Sequence, residues 1–518
     1  MNNKEVIPST TNRSRLMVVS NRLPFTIVRG VDGEYSVYPA SGGLVSAMLP
    51  ALKNRGGVWV GWPGVTDGDL HDLEAMLGNL TEDTGYTLKP VMLSAEEQHG
   101  FYHGFSNEII WPLFHDLFSN CHFDPGYWDA YLQVNRKFAQ TVFATAKPQD
   151  FIWVHDYHLM EVARELRKLG YRSKLGFFLH IPFPSLDIFL KLPWRFEILC
   201  ALMEFDLIGF QTLRDQRNFT QCVETLIKGS RFEGEEQIQT LRVQDQEMSR
   251  IFTEEGNAEK SIRVGTFPIG IDFKSFDSST ASTAVRKQAV RLHEDLQGRK
   301  MILGIDRLDY TKGILSKLNA FRRALERYPD LVQRVRLVQH IVPSRVDIPE
   351  YKAFKLQVER LISEINGEFT RSDWVPIHYL HGSLSQDELL AYYRVADIAL
   401  VTPLKDGMNL VAKEYCAAHV ENGGVLILSE FAGSAAQLKD GALLVNPYDI
   451  ENMAEGIYEA FIMSNERQAA RMQTLRSTIA DSDIFSWVDS FLQAVIEKDL
   501  SHFPVVDDYI PSPIDRHR

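Results

Sequence analysis

Short, near-continuous apolar runs recur in two successive blocks of this chain, each run followed by a longer amphipathic stretch, and few folds accept that pattern. The first block holds 16–20 (LMVVS), 58–61 (VWVG), 151–155 (FIWVH), 175–180 (LGFFLH) and 207–211 (LIGFQ). The second follows Pro268-Ile269-Gly270 and holds 301–305 (MILGI), 335–341 (VRLVQHI), 377–380 (IHYL), 398–402 (IALVT), 425–429 (VLILS) and 443–445. Runs without polar alternation belong to strands buried on both faces of a parallel sheet. Helix-like segments at 313–327, 349–365, 386–395 and 409–419 lie between them. The pattern predicts an α/β chain of two facing, Rossmann-like, doubly wound domains. In such folds ligands sit beyond the carboxyl ends of the strands, here in the interdomain cleft.

At 518 residues the chain is too long for one compact core. Its pattern divides it into a disordered N-terminal tail (1–14), a first domain (15–270) and a second domain (271–482). A helical segment (483–500) is expected to pack back on the first domain, followed by a flexible tail (501–518). An acidic, polar stretch over about 228–261 breaks the alternation and reads as an excursion ending the first domain.

The formal net charge of -13 speaks against a general nucleic-acid binder, which needs excess Lys and Arg to displace counterions from phosphates. It leaves room for small phosphorylated ligands, because a few basic side chains converging in one cleft hold a phosphate on an acidic protein. No apolar run approaches the ~20 residues that span a bilayer, and the polar N-terminus lacks a signal-peptide core. Cys121, Cys200, Cys222 and Cys416 are scattered without a C-x-x-C pair, as expected of reduced thiols in a cytoplasmic protein.

Chemistry-bearing motifs follow the runs. After IALVT comes PLKDGMNLVAKE (403–414), in which Asp406-Gly407 is a turn signal and Asn409 a helix N-cap. A helix starting there aims free amides and the positive end of its dipole at the strand-end crevice, a device suited to a diphosphate. Glu414, about two turns on, is placed to accept hydrogen bonds from ribose hydroxyls. A surface turn with a capped helix fits the same residues. After MILGI, Arg307 and Lys312 in GIDRLDYTKG are both able to grip a pyrophosphate, Arg as a planar fork and Lys as a point charge. Positive groups fixed beside a departing diphosphate stabilise the transition state of glycosyl transfer. A basic pair on a loop is also, commonly, a solvated face.

In the first block, Ser20-Asn21-Arg22, Ser41-Gly42-Gly43, VHDYH (154–158) and LHIPFP (179–184) fall at strand ends or before helices. The His-Asp-x-His cluster and His99-x-x-x-His103 invite a metal reading, but no further carboxylate or thiol at matching spacing completes a site. Two D-x-D tripeptides, at 67–69 and 481–483, match chance in so acidic a chain. No G-x-G-x-x-G, P-loop or G-x-S-x-G motif is present.

The motifs taken together say more. VVSNRLP (18–24), SGGL (41–44), GWPG (61–64), GFSNEIIWPLFH (104–115), HDYHLM (155–160), FFLHIPFP (177–184), DRLDYTKG (306–313), VPSRVDIPEY (342–351) and DGMNLVAKEY (406–415) resemble the trehalose-6-phosphate synthase family in order and spacing. The resemblance runs from about residue 16 to 448. It implies a GT-B glycosyltransferase of two Rossmann-like domains that retains anomeric configuration and uses no cofactor and no metal. The implied reaction transfers glucose from UDP-glucose to glucose 6-phosphate, giving α,α-trehalose 6-phosphate and UDP. The departing diphosphate would help deprotonate the incoming hydroxyl on the same face, which makes Asp156 an orienting or charge-stabilising group rather than a nucleophile.

Carried over residue by residue, the resemblance implies an acceptor site of Arg22, Tyr102, Trp111, Asp156 and Arg345. It implies a donor site of Gly43, His180, Arg307, Lys312, Asp406, Gly407, Met408, Asn409, Leu410, Val411 and Glu414. Asp156, His180, Arg307 and Lys312 form the implied catalytic set. Lys405 stands where relatives commonly carry Arg, and the 228–261 segment is longer and more acidic than usual. The expected partners are the two small-molecule substrates and further copies of the chain, as a dimer or tetramer; no nucleic acid or membrane is implied. The chain ends without the signature of an appended phosphatase, so a separate trehalose-6-phosphate phosphatase is expected. The competing readings are a synthase using another phosphorylated acceptor, such as glycerol 3-phosphate, and a non-catalytic sugar-phosphate sensor. The intact acceptor set favours glucose 6-phosphate.

Overall fold

The computed structural model describes residues 15–29, 35–39, 57–66, 85–243, 261–345, 348–497 and 506–511, with positions 45, 48, 49, 52 and 76. The expected N-terminal tail, Gly43 with its neighbours, and the D-x-D at 67–69 lie outside the described residues.

Every apolar run of both blocks forms a strand. The strands are β1 (Leu16–Arg22), β2 (Phe25–Arg29), β3 (Tyr35–Pro39), β4 (Val58–Trp62), β5 (Thr87–Pro90), β6 (Phe151–His155), β7 (Leu175–Phe178), β8 (Leu207–Phe210), β9 (Ser230–Glu235), β10 (Ile238–Val243) and β11 (Ile262–Thr266). The second block gives β12 (Lys300–Arg307), β13 (Val335–Val342), β14 (Ile377–His381), β15 (Ile398–Val401), β16 (Val425–Ser429) and β17 (Leu443–Val445).

The first sheet runs β5-β4-β1-β6-β7-β8-β11-β10-β9. It is parallel up to β11, and β10 and β9 close it antiparallel. Part of the acidic excursion is therefore a hairpin that extends the sheet, while 244–260 lie outside the described residues. The second sheet, β14-β13-β12-β15-β16-β17, is parallel throughout. β1, β4, β6, β7, β8, β15 and β16 are buried at nearly every position, which explains why their sequences show no polar alternation.

Among its parallel strands each sheet has one place where the strand order reverses. In the first it falls between β1 and β6, in the second between β12 and β15. Crevices open beyond the carboxyl ends of strands at such switch points.

Among the described residues the backbone is seen to pass from the first sheet to the second near 270 and back again near 483. The helix Ile484–Ile496 returns to the first sheet, where Phe491 stacks on Trp153 (4.2 Å between centroids) and Trp487 donates to the carbonyl of Phe267 at 3.1 Å. The outgoing and returning segments touch. Ile484 N–H donates to Ile271 O at 3.1 Å, and a Cβ on Gly270 would collide with the backbone of Ser482 and Asp483. Residues 506–511, expected to belong to a flexible tail, are instead held: Asp508 pairs with Arg217 at 2.6 Å, and its carbonyl accepts from Lys439 at 3.0 Å. Among the described residues no helix is long and apolar enough to cross a membrane.

Candidate active site

The two switch points carry the residues that the motifs singled out. β1 ends on Arg22 and β6 on His155, immediately before Asp156; β12 ends on Arg307, and β15 leads into the loop holding Asp406. Both crevices meet in one cleft, since a Cβ on Gly407 of the second domain would collide with the backbone carbonyl of His180 in the first. Only glycine permits that approach.

On the first-domain wall, Arg22 lies flat over Trp62 at 3.9 Å and reaches to within 6.0 Å of the Tyr102 ring. Burial lowers its pKa, with Tyr102 opposing the shift. Tyr102 stands on a wide, π-type helix, Gln98–Ile110, and stacks on His158 at 5.9 Å and 11°. Such helices often mark functional sites. Trp111 follows directly, and its buried indole N–H has no hydrogen-bond partner.

Asp156 sits at φ 74° and ψ 166°, a region populated almost only by glycine, so its backbone is strained at the head of the cleft. Its amide donates to Phe178 O at 2.8 Å, and its carboxylate accepts from the His180 amide at 3.2 Å. Burial pushes its pKa up to about 7, against the pull of two backbone N–H groups, Arg307 and Arg345. The His180 ring lies 3.1 Å from His155 Nδ1 and 3.4 Å from Gln211 Nε2, and burial lowers its pKa to about 3. It is therefore a neutral imidazole at physiological pH. The three polar residues that suggested a metal cluster face different partners: His155 meets His180, Asp156 meets the His180 amide, and His158 stacks between Tyr102 and Tyr157.

The second-domain wall is a chain of charges. Lys312 donates to Asp406 at 2.6 Å, and Asn409 donates to the same carboxylate oxygen at 3.0 Å. Burial works against ionisation of Asp406, but Lys312 outweighs it and keeps the pKa low. Asn409, at φ 72°, caps the helix Leu410–Ala418 through the Ala412 amide at 3.4 Å. The amides at its start have no partner within the helix. Met408 is buried beside the turn, and its carbonyl accepts from Ser434 at 2.9 Å. Val411 and Glu414 follow within the helix; Glu414 accepts from the Tyr393 hydroxyl at 2.8 Å, and burial raises its pKa.

Arg345 joins the two walls. It belongs to the second domain, at φ 49°, yet its guanidinium lies 4.1 Å over Trp111 and donates to the Tyr157 hydroxyl at 3.4 Å. It also donates to Asp309 at 3.1 Å and to the Tyr351 hydroxyl. Burial opposes its charge, but Tyr351, Tyr157 and Asp309 prevail and hold it protonated. Arg307, exposed, approaches the same Trp111 ring at 5.7 Å. Lys405, beside the donor loop, also crosses the cleft and pairs with Asp116 of the first domain at 2.6 Å.

Of the residues expected from sequence, all but Gly43 fall within the described residues, on the elements that form these two walls. Trp62, Tyr157, Asp309 and Tyr351 also belong to the site and were not singled out. Each sits inside a quoted motif, and the signal for Tyr157 and Asp309 was adjacency to Asp156 and to the Arg307–Lys312 loop. Trp62 acts through Arg22, which is distant in sequence, so no local pattern reveals it, whereas Tyr351 acts through Arg345 of its own motif.

Two facing parallel-sheet domains, with cationic groups and buried carboxylates at both switch points, define a two-Rossmann-domain glycosyltransferase of the GT-B architecture. The sequence profile of glycosyltransferase family 20 matches residues 14–497, and the chain belongs to that family. Among its relatives, a trehalose-6-phosphate synthase of Mycolicibacterium vanbaalenii is 40% identical over 484 residues, covering 93% of this chain and 96% of that protein. The crystal structure of a UDP-forming α,α-trehalose-phosphate synthase from Burkholderia xenovorans in complex with glucose 6-phosphate matches with a TM-score of 0.82 at 34% identity, covering 93% of this chain and all of that one (100%). An Escherichia coli trehalose-6-phosphate protein bound with UDP-2-fluoro glucose matches at 0.80 and 35% identity, over 93% and 99% of the respective chains.

Proposed function

We propose that this cleft transfers glucose from UDP-glucose to glucose 6-phosphate, yielding α,α-trehalose 6-phosphate and UDP with retained configuration. The observation that carries the reading is the convergence of Arg307 and Arg345 on one ring, 5.7 and 4.1 Å from the centroid of Trp111. Those two guanidiniums suit a reaction in which each substrate brings a phosphate, one departing with the donor and one remaining on the acceptor.

In this reading Arg22, Tyr102, Trp111 and Arg345 hold the acceptor phosphate. Asp156 orients the sugar hydroxyls, and neutral His180 donates to or accepts from the transferred glucose. Arg307, Lys312 and the helix start at Leu410 and Val411 stabilise the diphosphate as the bond from the anomeric carbon to its oxygen breaks. The new bond forms from the acceptor's anomeric oxygen, whose proton passes to the leaving diphosphate. Asp406 takes glucose hydroxyls and Glu414 the ribose. The first domain, 15–270, supplies most of the acceptor site and 271–482 the donor site, with Arg345 crossing between them.

The test is UDP release from UDP-glucose with glucose 6-phosphate, with and without EDTA, followed by NMR of the product. An α,α-1,1-linked disaccharide phosphate formed equally in EDTA is expected. Turnover with glycerol 3-phosphate and none with glucose 6-phosphate would reverse the acceptor assignment. Binding without UDP release would favour a sensor. The same proposal places the enzyme in the cytoplasm, in line with four free cysteines, and as a dimer or tetramer to be read by light scattering.

A further inference from the structure

Asp309 is fully buried (0% exposed) and lies between the two phosphate-directed groups, although it faces neither substrate in the reading above. Its two carboxylate oxygens do different things. Oδ1 accepts from the amide of Thr311 at 3.0 Å and from its hydroxyl at 2.9 Å. These bonds, with Lys312 N–H donating to Asp309 O at 3.1 Å, fold the tight turn Tyr310–Lys312 that presents Lys312. Oδ2 accepts from Arg345 at 3.1 Å and lies 3.5 Å from the Tyr351 hydroxyl.

The turn is tied in its own right to the donor loop. Leu404 N–H donates to Thr311 O at 2.8 Å, two residues before Asp406, and Lys312 reaches Asp406 itself. An unbroken series of bonds therefore runs from Asp406 through Lys312 and Thr311 to Asp309, and from there to Arg345 on Trp111. A buried carboxylate is costly unless its lone pairs are satisfied, so neither set of bonds is readily given up.

We propose that Asp309 is a positioning residue that couples the two substrate sites, one oxygen setting the donor-phosphate turn and the other aiming the acceptor-phosphate arginine. The inference rests on the assignment of Lys312 to the donor and Arg345 to the acceptor. A diphosphate seated on Lys312 immobilises the turn, which fixes Asp309 and leaves the Arg345 fork already oriented for the second phosphate. The coupling is reciprocal: glucose 6-phosphate tightens UDP by the same factor by which UDP tightens glucose 6-phosphate.

Two conservative variants weaken the relay on opposite sides, Thr311→Val leaving the amide bond of residue 311 to Oδ1 in place. In Asp309→Asn the amide oxygen still accepts from Thr311, while its NH₂ group faces Arg345 donor to donor. In Thr311→Val the hydroxyl bond to Oδ1 is lost and the Arg345 pair remains. The dissociation constant of UDP is measured by calorimetry with and without saturating glucose 6-phosphate, in the full chain and in both variants. Tyr393→Phe serves as a control that weakens the donor site away from the relay.

The expected result is a coupling factor of about 5 or more in the wild type and in Tyr393→Phe. In Asp309→Asn and Thr311→Val it falls below about 2, even where the UDP constant alone changes little. General loosening of the site would weaken both constants and leave their ratio unchanged. Retention of the wild-type ratio in either variant, or a wild-type ratio of 1, overturns the proposal. Should Asp309→Asn fail to fold, Thr311→Val decides alone. A wild-type chain that binds neither ligand defeats the substrate assignment itself, a result distinct from loss of coupling.

Discussion

Gly407 and the carbonyl of His180 meet across the cleft so closely that the donor loop and the first domain are in contact through bare backbone. The same glycine's carbonyl lies where a Cβ on Gly433 would sit, so the loop is confined on both sides. Gly407→Ala has no room to relax, and overpacking of this kind costs about 1–3 kcal/mol. Because the crowding is with the opposite domain, the cost falls on the closed cleft. We expect kcat/KM for UDP release to drop by about 10- to 100-fold, with little change in melting temperature.

Asp156 predicts a specific pH dependence. Its folded pKa, pushed up by burial to about 7, exceeds the ordinary carboxyl value of 3.8. A raised carboxyl pKa contributes stability that is complete below the unfolded value and is lost as pH rises through about 7. Asp156→Asn, which cannot ionise, should therefore melt higher than wild type at pH 8, with a gain that shrinks as pH falls through the window and vanishes only below about pH 4. If the ionised carboxylate is what accepts sugar hydroxyls, kcat/KM rises through pH 7 in the wild type. That acid limb disappears in the variant, as pH-rate profiles will show.

Lys413 gives the opposite slope. Fully buried, it donates to Ile269 O and to Gln437 Oε1, each at 2.7 Å, and burial lowers its pKa to about 7. The unfolded chain then binds an additional proton between about pH 7 and the ordinary lysine value, so this group makes stability increase with pH across that window and decline as pH falls through 7. Thermal melts from pH 6 to 9 should show a shallower rise in Lys413→Met than in the wild type.

Tyr393→Phe removes the hydroxyl that holds Glu414 at 2.8 Å. A hydrogen bond to a charged group is worth about 1.5–3 kcal/mol. With Glu414 on the ribose, the KM for UDP-glucose should rise about 10-fold while kcat changes less. An unchanged KM would remove Glu414 from the donor site.

The parallel strands were legible in the sequence because burial on both faces erases polar alternation, as in LMVVS and IALVT. The hairpin β9–β10 was not, since Ser230–Glu235 is largely exposed and acidic and carries none of that signal. The π-type helix was hidden as well: its wide turn is imposed by packing, with Gly100 against Ala130 and Gly104 against the Tyr127 ring, partners remote in sequence. Charged site residues were legible as members of motifs at strand ends. What escaped was the layer beneath them, because Trp62 meets Arg22 and Asp309 meets Arg345 only once the chain has folded. Gly43 was named from its motif and lies outside the described residues, so its role rests on sequence alone.

Gly270 against Ser482 and Asp483, with Ile484 bonded to Ile271, joins the two interdomain crossings into one narrow seam. A single crossing is a swivel, free to twist and splay in several directions. Two crossings fastened side by side act as a door hinge, so that opening and closing reduce largely to rotation about one axis. The pairing of Arg345 with Tyr157, of Lys405 with Asp116 and of Gly407 with His180 would then form the latch edge of that door.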